Sequence, residues 1–205
     1  MSKTKLMNKM FAVLLVFTFV AGLVSTSIPQ TAYAAEDTKI DVKKLIADIE
    51  DKDVKEAVSR LAAFEIIHGK EDGKYHPEDM VTREEFAKIL VTSLKMDTAA
   101  KAGLGFTHFK DVEATRWSAG YIGIAAGHGL IKGYPDGTFK PANQVSYAEA
   151  ITMLVRALGY KDEFLSGQWP ANYLAKAGEK EITKKVKFTD AYGFANRGDV
   201  AIMVN

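Results

Sequence analysis

The sequence predicts an all-α protein made of repeated helix–loop–helix units behind a cleavable export segment. Three observations carry that prediction. Shifting the chain by 64 residues lays 53–96 on 117–160 without a gap, and the matches fall on turn, cap and core residues in order. Apolar residues on both sides of each loop recur at helical spacing. The first 34 residues have the layout of a secretory signal peptide.

In that leading segment, Lys3, Lys5 and Lys9 precede a mostly apolar run of about 15 residues from Met10 to Val24, and Ala32-Tyr33-Ala34 supplies a small-x-small cleavage site. The run is short for a membrane span, which needs roughly 20 apolar residues. Cleavage after Ala34 leaves about 171 residues, and loss of the three lysines leaves 24 Lys and Arg against 26 Asp and Glu. No bulk positive field then remains to draw nucleic acid or an anionic membrane, so neither is an expected partner. The chain has no cysteine, which suits a bacterial exterior better than a small disulfide scaffold.

The elements follow in order. The lead-in 35–50 carries Val42, Leu45, Ile46 and Ile49, spaced for a short helix. The first copy, 51–97, has a helical stripe of Val54, Ala57, Val58, Leu61 and Ala62 and a second of Phe86, Ile89, Leu90 and Leu94. The second copy, 108–160, has Trp117, Tyr121, Ile124 and His128, then Ile151, Leu154, Val155 and Leu158. A more degraded third copy occupies 161–205. A shift of 52 carries Trp117, Tyr121 and Ala125 onto Trp169, Tyr173 and Ala177; a shift of 50 carries Ser146 and Glu149 onto Asn196 and Asp199. It stops after barely two turns of its second helix and reads as truncated there.

Between the helices, Asp72-Gly73 and Asp136-Gly137 mark turns, each followed by an aromatic and a proline. Gly69 and Gly133 stand where helix-ending glycines belong. "DTAAKAGLGFTH" and "KDEFLSGQ" read as loops joining the copies. One helix pair of this size buries too little surface to stand alone, so the copies should pack on one another.

The helix starts hold the chemistry. Thr82-x-x-Glu85 and Ser146-x-x-Glu149 fit the capping box, and Asn196-x-x-Asp199 is a weaker version; each cap contributes about 1 kcal/mol. The caps do not require Arg83 or Arg197. A cation at the first helical position opposes the helix dipole by about 0.3–1 kcal/mol. An acidic neighbour such as Glu84 or Asp79 is one reason to keep it. An anionic ligand, drawn jointly by the guanidinium and the helix N-terminus, is the other. The residues alone leave both open. In the second copy Tyr147 fills the slot and brings no charge. Trp117 and Trp169 can serve as packing anchors or line a groove, and the two roles are compatible. His68, His76, His108 and His128 lack metal-ligand spacing, and no calcium loop, phosphate loop, dinucleotide fingerprint or catalytic pair is visible. No metal, cofactor or catalysis is expected.

The run 109–160, through Phe109, Asp111, Val112, Trp117, Gly133 to Pro141 and Ser146 to Glu149, closely resembles an S-layer homology (SLH) repeat. "TREE" at 82–85 and "NRGD" at 196–199 keep the same helix start. The resemblance implies three repeats packed with pseudo-threefold symmetry, their second helices forming a central bundle. It implies a non-catalytic anchor whose inter-repeat grooves bind a secondary cell-wall polysaccharide of Gram-positive bacteria, often pyruvylated, so that an S-layer or other surface protein is held on the wall. The role of groove arginine passes to Arg83 and Arg197, with Trp117, Trp169, Lys132, Gly133, Asp136 and Gly137 as further contacts. Tyr147 then marks a middle groove that has lost its carboxylate clamp or has recruited Lys132, Lys140 or Arg156. Neighbouring S-layer subunits would be reached through a region beyond Asn205. Two other readings remain: the anchoring end of an exported hydrolase whose catalytic domain lies beyond residue 205, and a helical scaffold for protein partners.

Overall fold

The computed structural model of the chain describes residues 40–103 and 107–205; the signal-peptide reading of 1–34 lies outside the described residues. Among the described residues there are eight α-helices and no strand. They are α1 (Val42–Leu45), α2 (Lys52–Ala63), α3 (Arg83–Ser93), α4 (Asp97–Lys101), α5 (Ala119–Gly127), α6 (Tyr147–Ala157), α7 (Ala171–Glu179) and α8 (Arg197–Val204), with a 3-10 turn at Asp162–Phe164. None of these helices is long and apolar enough to cross a membrane.

Local chemistry sets the helix boundaries. Asp51 caps α2 by accepting from the amides of Asp53 and Val54 at 2.8 and 3.0 Å. Thr82 and Ser146 form complete capping boxes with Glu85 and Glu149, as the spacing predicts. Asn196 accepts from the amide of Asp199 at 2.7 Å, but the shorter Asp199 side chain does not return to close the box. The stripe Val54, Ala57, Val58, Leu61 and Ala62 of α2 is buried throughout.

Several expectations are corrected. The supposed loop after the first copy contains α4, whose Asp97 and Lys101 pair one turn apart at 2.9 Å. Gly69 and Gly133 do not end helices: the left-handed residue after α2 is Glu65 (φ 57°), and after α5 it is Gly129 (φ 69°). Gly133 serves a close approach instead. A Cβ there would sit 2.4 Å from the Phe109 ring and 2.5 Å from the Thr138 carbonyl oxygen. The buried stripe of α5 runs through Ala119, Tyr121, Ile122 and Ala125, which leaves Trp117 and His128 exposed.

The helices pair between copies rather than within them. α5 packs on α3, α7 on α6, and α2 closes the circuit on α8. The second helices α3 and α6, and α6 and α8, also touch. Isolated antiparallel bridges join the segments leading into them: Met80 to Asn196, Thr82 to Gln144 and Ser146 to Phe194. The first two amides of each second helix are taken by carbonyls from elsewhere in the chain. Arg83 and Glu84 donate to Asn143 and Pro141, Tyr147 and Ala148 to Gly193 and Ala191, and Arg197 and Gly198 to Asp79 and Pro77, at 2.7–3.0 Å. These are the orphan donors of a helix start, and here they hold the ring of helix starts together.

Candidate functional site

Each of the three helix starts presses its first side chain against an aromatic in a neighbouring loop. Arg83 lies 4.6 Å from the Phe139 ring centre and 4.8 Å from that of Tyr134. Its Nε donates to the Phe139 carbonyl at 2.8 Å, and a terminal nitrogen pairs with Glu149 at 2.9 Å. Only 2% of the residue is exposed. Arg83 therefore has an acid, though neither Glu84 nor Asp79. Glu84 instead takes a two-pronged grip from Arg116 at 2.7 and 2.8 Å and a hydrogen bond from Ser118 at 2.5 Å, and Asp79 pairs with Lys70. Burial pushes the Glu149 carboxyl up, but the Tyr134 hydroxyl and the Arg83 charge outweigh it and hold it below the usual range. Burial and the bond to Glu149 push the Tyr134 hydroxyl up to about 12.

Arg197 repeats the pose with different neighbours. Its guanidinium lies 4.3 Å from the Tyr75 ring centre, Nε donates to the Tyr75 carbonyl at 2.7 Å, and a terminal nitrogen donates to the His68 carbonyl at 2.9 Å. The Tyr75 hydroxyl donates back to the Arg197 carbonyl at 2.8 Å. None of the ion pairs among the described residues includes Arg197, and the side chain is half-buried. Tyr147 stacks on Phe188 at 4.7 Å, and its hydroxyl donates to Asp199, which with burial pushes the phenol well above its ordinary range.

Two grooves follow from these placements: His68, Gly69, Glu85 and Lys88 of one lie 64 residues before Lys132, Gly133, Glu149 and Thr152 of the other, and their tryptophans correspond at a shift of 52. One, of about 210 Å³, brings together His68, Gly69, Glu85, Lys88, Trp117 and Arg197. The other, of about 410 Å³, brings together Arg83, Lys132, Gly133, Glu149, Thr152 and Trp169. Trp117 and Trp169 are 54% and 48% exposed and line these grooves rather than filling the core. Trp169 is held by a hydrogen bond from its indole to Thr152 at 2.9 Å. Lys132 and Arg156 share Asp162, and both line the groove of Arg83; they do not stand in for a cation beside Tyr147. Lys140 lies over the Tyr134 ring. Asp136 and Gly137 form the exposed turn tip, where the carboxylate accepts from the Thr138 amide at 2.9 Å and lies outside both grooves.

At the third junction the slot of the tryptophan holds Asp53, which pairs with Lys185 at 2.6 Å, and the slot of the arginine holds Tyr147. A cavity of about 970 Å³ there is lined by Asp48, Asp51, His76, Asp79, Lys185 and Asp199. It lacks both the aromatic platform and the guanidinium of the other two. Sequence reasoning missed the loop anchors: Asp48 accepts from the amides of Tyr75 and His76, and Asp111 from those of Phe139 and Lys140, at 2.7–3.3 Å. Their spacing differs from the 64-residue shift by one, which hid the match.

Comparison with known proteins bears on the same repeated segments. The family model of the S-layer homology domain matches residues 46–87 and 108–151. The chain is 35% identical over 185 residues to the middle cell wall protein of Brevibacillus brevis, covering 90% of this chain and 17% of that protein. It is 36% identical over 175 residues to the surface layer protein of Brevibacillus choshinensis, covering 85% of this chain and 15% of that one. The cellulosome-anchoring protein of Acetivibrio thermocellus is 32% identical over 103 residues, half of this chain and 23% of that protein. The chain thus spans about a sixth of the length of the first two relatives. On its two matched domains and its likeness to these surface proteins, the chain belongs to the S-layer homology family.

Proposed function

We propose that this chain is a non-catalytic, exported anchoring module that holds a surface protein on a Gram-positive cell wall by binding an acidic, pyruvylated secondary wall polysaccharide. In this reading 51–97, 108–160 and 161–205 are three S-layer homology repeats forming one pseudo-threefold unit, and the grooves between them are the binding sites. One observation supports it above the rest: two matched grooves each pair an exposed tryptophan with an arginine from a helix start. A pyruvate ketal presents a fixed carboxylate on a sugar ring. A guanidinium matches the carboxylate and an indole face matches the apolar face of the ring. The names of the surface-layer and anchoring relatives point the same way.

Co-sedimentation with purified cell walls tests the proposal. The chain should pellet with native walls and stay in solution with walls stripped of secondary polymer. Arg197→Ala should lower pelleting severalfold, whereas Tyr147→Phe should leave it unchanged. Equal pelleting on native and stripped walls would remove the proposed ligand.

A further inference from the structure

The two matched grooves differ in what their cations already hold. Arg83 is buried against Glu149, and the rest of its guanidinium is occupied by the Phe139 carbonyl and two rings. Arg197 has only carbonyl and ring partners. One turn into α3, Lys88 adds a second cation to the Arg197 groove, where the equivalent position of the other groove holds the neutral Thr152. Lys88 is half-buried, and no ion pair or hydrogen bond among the described residues includes its ammonium. It lines the 210 Å³ groove and also an adjoining cavity of about 460 Å³ beside Arg116 and Trp117, so it stands where the two meet along the indole. Burial and the charge of Lys101 hold its ammonium below the ordinary lysine range, only partly offset by Glu85. A desolvated cation without a partner stabilises a ligand anion more than an exposed one does.

We infer that Lys88 is a ligand-contacting residue, and that with Arg197 and Trp117 it makes the Arg197 groove the dominant site for an acidic saccharide. This rests on the proposed function and assigns its affinity unequally: the Arg83 groove contributes a sugar platform at Trp169, and its cations are already in ion pairs, Arg83 with Glu149 and both Lys132 and Arg156 with Asp162.

The chain contains two tryptophans, one per groove, so each reports on its own site. The probe is a methyl hexopyranoside carrying a 4,6-pyruvate ketal, with the neutral isopropylidene ketal as control. Titrations follow Trp117 emission in a Trp169→Phe chain and Trp169 emission in a Trp117→Phe chain. Trp117 should respond at a concentration at least about tenfold lower than Trp169, and the neutral ketal should lose that advantage. Lys88→Met, close in length but uncharged, should weaken the Trp117 titration about tenfold, and Lys88→Arg should restore most of it. An unchanged Trp117 titration in Lys88→Met, or a Trp169 signal that saturates at lower probe concentration than that of Trp117, overturns this inference alone. Silence of both tryptophans alongside equal pelleting on stripped walls overturns the proposed function and this inference with it.

Discussion

Replacing Arg83 by alanine separates its structural work from any binding role. The side chain neutralises Glu149, which is 20% exposed and otherwise held by the Tyr134 hydroxyl at 2.6 Å and the Ser146 amide at 3.1 Å. Truncation strands a largely buried carboxylate, leaves the Phe139 carbonyl without its donor and opens the space between two rings. Breaking a buried pair from one side costs about 3–5 kcal/mol, and the other losses overlap with it rather than adding in full. For a chain of this size that corresponds to a fall in Tm of roughly 6–20 °C. Arg197→Ala strands no charge and should cost only about 1–2 kcal/mol. Urea unfolding followed by far-ultraviolet circular dichroism reads both. The double variant Arg83→Met, Glu149→Gln should recover roughly 2 kcal/mol relative to Arg83→Met, because the stranded charge is gone. An Arg83→Ala chain within about 1 kcal/mol of the parent, or no recovery in the double variant, would refute the claim that this arginine is committed to the fold.

Two further outcomes follow. Glu84 is pushed up by burial but held below its ordinary range by Arg116 and Ser118, and Glu149 is likewise held down by Tyr134 and Arg83. In the unfolded chain both return to about 4.3, so their stabilisation is complete above about pH 5 and is lost as pH falls below that value; Glu84→Gln should shrink the drop in urea midpoint between pH 7 and pH 3.5. Gly133→Ala forces a methyl against the Phe109 ring and the Thr138 carbonyl and should cost about 2–3 kcal/mol in thermal unfolding, whereas Gly127→Ala, at the last residue of α5 with open space at its Cβ, should gain about 0.5 kcal/mol.

What the sequence discloses here is mostly local. Thr82 with Glu85 and Ser146 with Glu149 are legible because a capping box closes within four residues. The α2 stripe is legible because one face of one helix meets the core. The partners of Arg83 and Arg197 are not, since their chief acceptors are the backbone carbonyls of Phe139, Tyr75 and His68, and a carbonyl leaves no mark in sequence. The aromatics after the Asp-Gly turns are visible, but their role as seats for a distant helix start depends on how the chain closes on itself. The Asp97 and Lys101 pair does mark α4, yet a five-residue helix gives too short a period to outweigh the glycines that follow it. The exposed tryptophans are ambiguous because a residue just before a helix can turn to either side of its stripe.

One consequence of the closed ring bears directly on recognition. An anion at a helix N-terminus is usually held by free amides, which is why the arginines read in sequence as half of a binding site. In α3, α6 and α8 the first two amides already donate to carbonyls, and the hydroxyl or amide caps take a third. None of these three helix starts has amides left to grip an acidic sugar, so beside them its charge is met by side chains. A side chain whose charge is already matched can position a ring or steady a loop, but it gains little from a second carboxylate. Arg197 and Lys88 therefore outrank Arg83 as anion partners, although sequence alone makes Arg83 and Arg197 equivalent. A weaker platform at Trp169 still contributes on a polymer, because a strand held at Trp117 keeps its neighbouring sugars at high effective concentration over the other groove.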